Sequence, residues 1–189
     1  MIEVHFDNIH LEILKEIKNA KQHIKLCVAW FTDKELYSAI LERAKKGVKV
    51  EIIIANHETN HKYGFDFKEL LKNNGEIWHI GNLKSTMNDS LMHNKYCLID
   101  NDLIITGSFN WTKKARKNEE NILIIKQEGN LLKKFTENFE NIQPNNIFVI
   151  NKGKVSLISV SDIIAKWDKN KNVITLKEYI KTQAISNKF

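Results

Sequence analysis

The chain has 189 residues, of which 42% are hydrophobic and 28% charged, and this balance excludes a disordered or fibrous protein. Lysine and arginine outnumber aspartate and glutamate by 29 to 23, so the net charge of +6 favours polyanionic partners, either nucleic acid or an anionic membrane surface. A chain that is simply rich in lysine, with no functional patch, is the alternative. No apolar stretch has the roughly 18 residues of a membrane span and no signal core opens the chain, so we expect a cytoplasmic protein.

The first part of the chain alternates between short apolar strands and amphipathic helices. We predict strands at residues 2–6, 24–30, 48–54 and 76–80, with a helix after each of the first three. Asp7 or Asn8 is expected to cap the first helix, and residues 32–35, TDKE, form a capping box that opens the second. Such strand–helix–strand units predict an α/β fold in which helices pack on a sheet with substantial parallel pairing.

Two polar loops interrupt this pattern. Residues 56–64 carry His57 and His61, which we interpret as rim residues rather than metal ligands because no third ligand is evident. Residues 81–90 lead directly into the next strand, and Lys84, Ser85 and Thr86 are expected to be ordinary solvated residues there. Between the two loops we predict a short helix at residues 65–73.

The side chains best suited to chemistry lie between residues 91 and 124. His93 and Lys95 are separated by a single residue in a predicted strand, residues 93–99, so the alternation of side chains along a strand places them on one face. A turn at Asn101 and Asp102 and a returning strand at residues 103–106 can bring Ser108 and Asn110 back beside them. An imidazole, an ammonium, a hydroxyl and a carboxamide together suit a phosphate or oxyanion. No acidic or Cys/His cluster with ligand spacing accompanies them, so we expect neither a metal nor another cofactor.

The spacing H-x-K-x4-D-x6-G-S-x-N resembles the signature of the phospholipase D superfamily. It is complete here, in His93, Lys95, Asp100, Gly107, Ser108 and Asn110. The resemblance extends over residues 2–142 and includes the segment VAWFTD at residues 28–33. It implies a mixed, largely parallel β-sheet flanked by helices, an α-β-α sandwich. The single signature resembles short bacterial endonucleases and mitochondrial-type enzymes that pair two chains to complete one site.

Each signature residue takes a role from this resemblance. His93 would attack phosphorus or move protons, while Lys95 and Asn110 would hold the phosphoryl oxygens. Ser108 would add a hydrogen bond, and Asp100 would support the site without touching the phosphate. Glu120, in the segment NEEN at residues 118–121, would orient a histidine. These six residues are the predicted catalytic set.

The segment after Asn110 is basic, with Lys113, Lys114 and Arg116 close together. These residues are either contacts to a phosphate backbone or a solvated helix face, and we carry the first as the prediction of substrate-binding residues. Trp111 is placed with them because an indole can stack on a base, although packing in the core is the alternative.

Beyond Pro144 the pattern changes, so we predict a catalytic domain at residues 1–144 and a C-terminal extension at residues 145–189. The extension contains a β-hairpin over residues 148–158, a helix at residues 162–169 and a second capping box at residues 175–178. Cys27 and Cys97 lie in apolar strands and are expected to be small buried residues rather than a disulfide.

Three functions fit these observations. The first is a metal-independent nuclease that hydrolyses DNA or RNA through a phosphohistidine, as a homodimer with the site at the two-fold axis. The second is a phospholipid hydrolase of the cardiolipin type, which would use the same chemistry on a membrane lipid. The third is a nucleic-acid-binding module without activity, because a fold does not by itself guarantee catalysis.

Overall fold

The computed structural model describes residues 1–81, 83 and 90–165, and the helices and strands named here belong to those residues. The strands are β1 (Ile2–His5), β2 (His23–Val28), β3 (Lys49–Ala55), β4 (Glu76–Ile80), β5 (Lys95–Ile99), β6 (Leu103–Gly107), β7 (Ile122–Lys126), β8 (Asn146–Asn151) and β9 (Lys154–Ser159). The helices are α1 (Ile9–Asn19), α2 (Lys34–Lys45), α3 (Glu58–Tyr63), α4 (Lys68–Lys72), α5 (Gly129–Asn141) and α6 (Val160–Ala165).

The strands form a mixed sheet in the order β1-β7-β6-β5-β2-β3-β4-β8-β9. The prediction of a mixed sheet flanked by helices is confirmed, but the expectation that it is largely parallel is wrong. Only the β2–β3 and β3–β4 pairs are parallel, and the other six pairs are antiparallel. Helical crossovers join β2 to β3 and β3 to β4, and these pairs are parallel. Short turns join β5 to β6 and β8 to β9, and such turns permit only antiparallel pairing.

Helices cover both faces of the sheet, so the apolar core has two layers. One layer joins α1, α2 and α4 to alternate residues of the central strands, such as Leu26 and Ile52. The other joins α5 to the opposite alternation, such as Ile53 and Leu98. Cys97 belongs to the first layer and Cys27 to the second, and both are buried as predicted. Burial raises the pKa of Cys97 well above that of an ordinary thiol.

The helix caps differ from the predicted ones at both helices. Asn8 stands at the N-cap of α1 in a left-handed conformation, with φ 51°, and its side chain makes no capping hydrogen bond. Asp33, rather than Thr32, caps α2, and its carboxylate accepts the N–H groups of Glu35 and Leu36. An aspartate carboxylate is a strong cap and carries the negative charge that a helix N-terminus favours.

The predicted loop at residues 56–64 contains a helix, α3, because Asn60 provides an anchor that periodicity does not reveal. The Asn60 side chain accepts the Phe31 N–H at 2.9 Å. It also donates to the carbonyls of Ala29 and Ala55 at 2.7 and 2.8 Å. This buried carboxamide therefore ties α3 to the ends of β2 and β3.

The C-terminal hairpin forms as predicted and continues the sheet. β8 pairs with β9 over six residues and also pairs with β4 through Trp78 and His79. The first turns of the predicted helix at residues 162–169 are present as α6. The remainder of that helix, the capping box at residues 175–178, and Lys84, Ser85 and Thr86 lie outside the described residues. The division at residue 144 stays a prediction.

His79 in β4 is a titratable residue in the core. It is 1% exposed, and neither ring nitrogen has a hydrogen-bond partner among the described residues. Its ring packs edge-on against those of Phe148 and His61, with centroids 4.7 and 5.1 Å apart. Burial, together with the charge of His61, lowers the pKa of His79 to about 3.

We expect His79 to make the fold sensitive to acid. Because the pKa is lower in the folded than in the unfolded chain, its contribution to stability is complete above about pH 6.5 and is lost as pH falls towards 3. At pH 5 the loss should be about 2 kcal/mol. Urea unfolding at pH 7.5 and pH 5.0 should show that His79→Phe loses less stability than the wild type between these pH values. Equal losses in both proteins would contradict the assignment.

Candidate active site

The β5–β6 hairpin brings His93, Lys95 and Ser108 to one end of the sheet. Tyr96 in β5 pairs with Thr106 in β6, so the start of β5 lies beside the Gly107 end of β6. β5 begins at Lys95 rather than at His93, which was predicted to be in the strand. His93 nevertheless keeps a fixed place, because the carbonyl of the next residue, Asn94, accepts the Ala29 N–H at 3.0 Å and extends the alignment with β2.

His93 is exposed to solvent on one side and contacts an indole on the other. Its ring meets that of Trp30 edge to face, with the centroids 5.6 Å apart. Trp30 belongs to the VAWFTD segment and also contacts His57 at 5.6 Å. Partial burial, and then the charge of Lys95, lower the pKa of His93 below its ordinary value. Both influences favour the neutral imidazole, which is the form that can act as a nucleophile or base.

Lys95 is half-buried, and its ammonium donates to the main-chain carbonyl of His93 at 2.7 Å. Burial lowers the pKa of Lys95, while the nearby carboxylate of Glu120 acts in the opposite direction. The ammonium therefore contacts the main chain of His93 and is close enough to Glu120 to feel the charge of its carboxylate. A cation in this position suits an anionic ligand bound in front of the imidazole.

Glu120 is held by Ser108 and Asn118 of the same chain. The Ser108 hydroxyl donates to one carboxylate oxygen, and the Asn118 amide donates to the other at 3.2 Å. Ser108 Oγ also accepts the Asn121 N–H at 3.0 Å, so the hydroxyl links the end of β6 to the residues before β7. The hydrogen bond from Glu120 to a histidine that the resemblance implies is not made to His93 within the chain.

Gly107 allows this close approach of two main chains. A Cβ at this position would overlap the carbonyl oxygen of Asn121 and would stand 2.8 Å from the Cα of Ile122. Any larger residue would have to push β6 and β7 apart, breaking the bond from the Ser108 N–H to the Asn121 carbonyl at 3.0 Å. The signature glycine is therefore explained by packing rather than by a positive φ angle.

Asn110 lies in a segment that is fastened to the start of α2. The main-chain carbonyl of Trp111 accepts the N–H groups of Thr32 and Asp33 at 2.9 and 3.0 Å. Arg116 forms a bidentate ion pair with Asp33, with two N–O distances of 2.6 Å, and a further contact to Glu35. The side-chain oxygen of Asn110 is buried and has no hydrogen-bond partner among the described residues.

Asp100 lies away from this cluster, at the opposite end of β5. Its carboxylate accepts the N–H groups of Lys21 and Gln22, each at 2.7 Å, and that of His23 at 3.0 Å. These hydrogen bonds lower the pKa of Asp100 although burial opposes them. Asp100 therefore fixes the entry to β2, in agreement with a supporting role and not with direct contact to a ligand.

The four predicted substrate-binding residues have different surroundings. Lys113 and Lys114 are exposed to solvent. Arg116 is occupied by Asp33 and Glu35. Trp111 is 2% exposed and packs against Phe31 with ring centroids 5.9 Å apart, so its environment matches the packing alternative rather than base stacking.

The structure adds residues that sequence reasoning did not find. A cleft of about 410 Å³ at His93 and Lys95 is bounded on its other side by Lys134, Phe135 and Asn138 of α5. α5 is an amphipathic helix. Nothing in the periodicity indicates which strand end its polar side faces, so this wall of the cleft required the tertiary structure.

The described residues contain neither a candidate metal site nor a helix that could span a membrane. Within residues 1–81, 83 and 90–165, no group of three or more His, Cys, Asp or Glu side chains is arranged to hold a metal ion. In the same part of the chain, none of the helices has the length and apolar character needed to cross a bilayer.

Comparison with known proteins agrees with this geometry. The family model "Cardiolipin synthase, PLD-like domain" matches residues 13–143. The mitochondrial cardiolipin hydrolase of Chlamydomonas reinhardtii is 28% identical over 130 residues, which are 68% of this chain and 55% of that protein. The matched part of the chain thus spans little more than half of that relative. Nuc from Salmonella typhimurium, a phospholipase D family member, aligns with a TM-score of 0.65 and 25% identity, covering 75% of this chain and 92% of Nuc. NucT from Helicobacter pylori, at 23% identity and a TM-score of 0.64, has a similar fold.

A mixed sheet with helices on both faces and His93, Lys95 and Ser108 at one strand end define a phospholipase D-like domain. Because the family model covers well over half of its residues, the chain belongs to the phospholipase D superfamily.

Proposed function

We propose that the protein is a metal-independent phosphodiesterase that hydrolyses DNA or RNA. The observation that carries this proposal is the placement of a His93 imidazole with a lowered pKa beside the Lys95 ammonium at the mouth of one cleft. The imidazole can attack phosphorus, and the ammonium can balance the charge that develops on the phosphoryl oxygens.

The reaction proceeds in two steps. In the first, a nitrogen of one His93 forms a bond to phosphorus as the bond to the leaving oxygen breaks, and a second, protonated His93 gives its proton to that oxygen. In the second, the now neutral second histidine takes a proton from water as the water oxygen attacks phosphorus, and the bond between phosphorus and nitrogen breaks. The two imidazoles must start in opposite protonation states, so they titrate as a pair.

The second histidine comes from a second copy of the chain. One chain carries one signature, and its Glu120 does not bond its own His93 but is held by Ser108 and Asn118. A carboxylate with two bonds still has acceptor capacity, so Glu120 can orient the histidine of the partner chain. A two-fold axis through the site supplies two imidazoles and two ammoniums from the same residues.

The charge of the chain, and the resemblance of its single signature to short bacterial endonucleases, favour nucleic acid as the substrate. Lys113 and Lys114 are exposed close after Asn110, and the net charge is +6. Hydrolysis of a cardiolipin-type phospholipid is the second candidate, supported by the similarity to mitochondrial cardiolipin hydrolases. An inactive nucleic-acid-binding module is the third and would bind without forming products.

One experiment tests these candidates together. The purified protein is incubated in EDTA with labelled single- and double-stranded DNA, with RNA and with vesicles that contain cardiolipin. Nucleic-acid products in EDTA support the proposal, and products from cardiolipin alone support the second candidate. Activity that is lost in EDTA and restored by magnesium would refute a metal-independent mechanism, and a salt-sensitive gel shift without products would support the third candidate.

The shared site predicts a specific result when two kinds of chain are mixed. Inactive His93→Ala chains and wild-type chains, allowed to exchange subunits, should form heterodimers that lack either the nucleophile or the acid. Activity should therefore fall approximately with the square of the wild-type fraction when the two proteins are mixed in different ratios at a constant total chain concentration. Strictly proportional loss after verified exchange, or full activity of a monomer at nanomolar concentration, would exclude a site made by two chains.

A further inference from the structure

One wall of the active-site cleft belongs to α5 and has no part in the chemistry proposed above. The cleft extends from His93 and Lys95, past Thr106 and Gly107, to Lys134 and Asn138 on the helix. Positions 134 and 138 are four residues apart and therefore lie on the same side of a helix. This wall presents one cation, Lys134, to whatever occupies the cleft beside the reacting phosphate.

The wall is held rigidly against the strand that carries Lys95. The Tyr96 hydroxyl donates to the side-chain oxygen of Asn138 at 2.8 Å. The Tyr96 ring also packs edge-on against Phe135, with centroids 5.0 Å apart, and Phe139 is buried one turn further on. Lys134 thus projects from a backbone that is fixed relative to Lys95, and little order must be gained when it binds a ligand.

Lys134 also differs from its neighbour in its charge environment. Lys133 forms an ion pair with Glu137 at 3.9 Å, and Lys25 engages the other acidic residue of the helix, Glu140. Lys134 has no ion-pair partner among the described residues, although it is exposed at the cleft. A cation without a counterion at the edge of a phosphate site is available to a second anionic group.

We propose that Lys134 binds a phosphate of the substrate that is adjacent to the one being cleaved. This inference rests on the proposed function and extends it, because it makes a strand of linked phosphodiesters, that is a nucleic acid, the preferred substrate over an isolated diester. Two Lys95 side chains already serve the reacting phosphate in the paired site. Lys134, on the far wall, serves the next phosphate along the strand.

The test compares Lys134→Ala with Lys133→Ala, the same change one residue away on the same helix. Each variant is assayed on a short single-stranded oligonucleotide and on bis(p-nitrophenyl) phosphate, which has one phosphate and no neighbour. Lys134→Ala should lower kcat/KM on the oligonucleotide by about fivefold more than on the small diester, mainly through KM. The dependence of log KM on log salt should become shallower by about 0.7, the value for one phosphate contact on a single strand. Lys133→Ala should match the wild type on both substrates, and Lys134→Arg should restore most of the loss.

The failures of the two proposals are distinguishable. If the wild type cleaves the oligonucleotide and Lys134→Ala behaves like Lys133→Ala, this inference is overturned while the nuclease function stands. Equal losses on both substrates would also overturn it, because they would place the effect of Lys134 on the reaction itself. A wild type that cleaves cardiolipin vesicles and no nucleic acid would overturn both.

Discussion

Replacing His93 with alanine is expected to lower phosphodiester hydrolysis by at least about 10³-fold, because the imidazole is proposed to act as nucleophile in one chain and as acid in the other. The variant should fold normally, since the His93 side chain is exposed and, among the described residues, its ring contact is with Trp30. Single-turnover assays on a labelled oligonucleotide, with circular dichroism and thermal unfolding as a check on folding, measure the effect.

A second histidine provides the matched control. His57 also contacts the ring of Trp30, at the same centroid distance of 5.6 Å, but it is the N-cap residue of α3 and not part of the signature. His57→Ala removes an imidazole from the same indole and should keep most of the activity. If a folded His93→Ala protein retained wild-type rates, or if both variants lost activity equally, histidine catalysis at this position would be refuted.

Replacing Arg116 with alanine is expected to destabilise the protein by about 3 kcal/mol, because it leaves the Asp33 carboxylate, which is 1% exposed, without its cation. The pKa of Arg116 is raised chiefly by its hydrogen bonds to Asp33, which agrees with a strong pair. For a chain of this length the melting temperature should fall by about 10 °C. Activity should fall as well, since the pair fastens the segment that carries Asn110.

Two further variants separate the lost ion pair from other effects. Lys117→Ala removes an exposed cation from the next position and should change stability by no more than about 0.5 kcal/mol. Adding Asp33→Asn to Arg116→Ala removes the unpaired charge while keeping a side-chain oxygen at the N-cap of α2, so the double variant should be more stable than Arg116→Ala. A loss below about 1 kcal/mol in Arg116→Ala would show that Asp33 does not depend on its partner.

The end of the sheet that carries His93, Lys95 and Ser108 was predictable because it is formed by residues that are close in sequence. A strand, a turn at Asn101 and Asp102 and a returning strand place Gly107 and Ser108 beside Lys95 with no information from the rest of the chain. The ion pair between Arg116 and Asp33 joins residues 83 positions apart, and neither residue carries a local sign of the other. The same reason applies to Asn60, whose three hydrogen bonds depend on where two other strands end.

The direction of strand pairing and the polar side of α5 were beyond sequence reasoning for a related cause. The helical segments between the early strands predict parallel pairing for those strands, but they do not determine the direction in which the later strands pair. β2 pairs with β5 in the antiparallel sense. α5 has the amphipathic pattern of any surface helix, and only its packing on Tyr96 determines that Lys134 and Asn138 face the cleft. Periodicity shows that a helix has two sides but not what each side meets.

The position of Asp100 explains the fixed spacing between Lys95 and Asp100 in the signature. Lys95 lies at one end of β5, while Asp100 lies at the other end and hydrogen-bonds the start of β2. Five residue-to-residue intervals separate the two, which is about 16 Å along the strand. The four residues between Lys95 and Asp100 therefore fix the distance between the two charged side chains. Their number determines that Lys95 lies at one end of β5 and Asp100 at the other. Inserting one residue there would turn the reactive side chains to the opposite face, however faithfully the six signature residues themselves were kept.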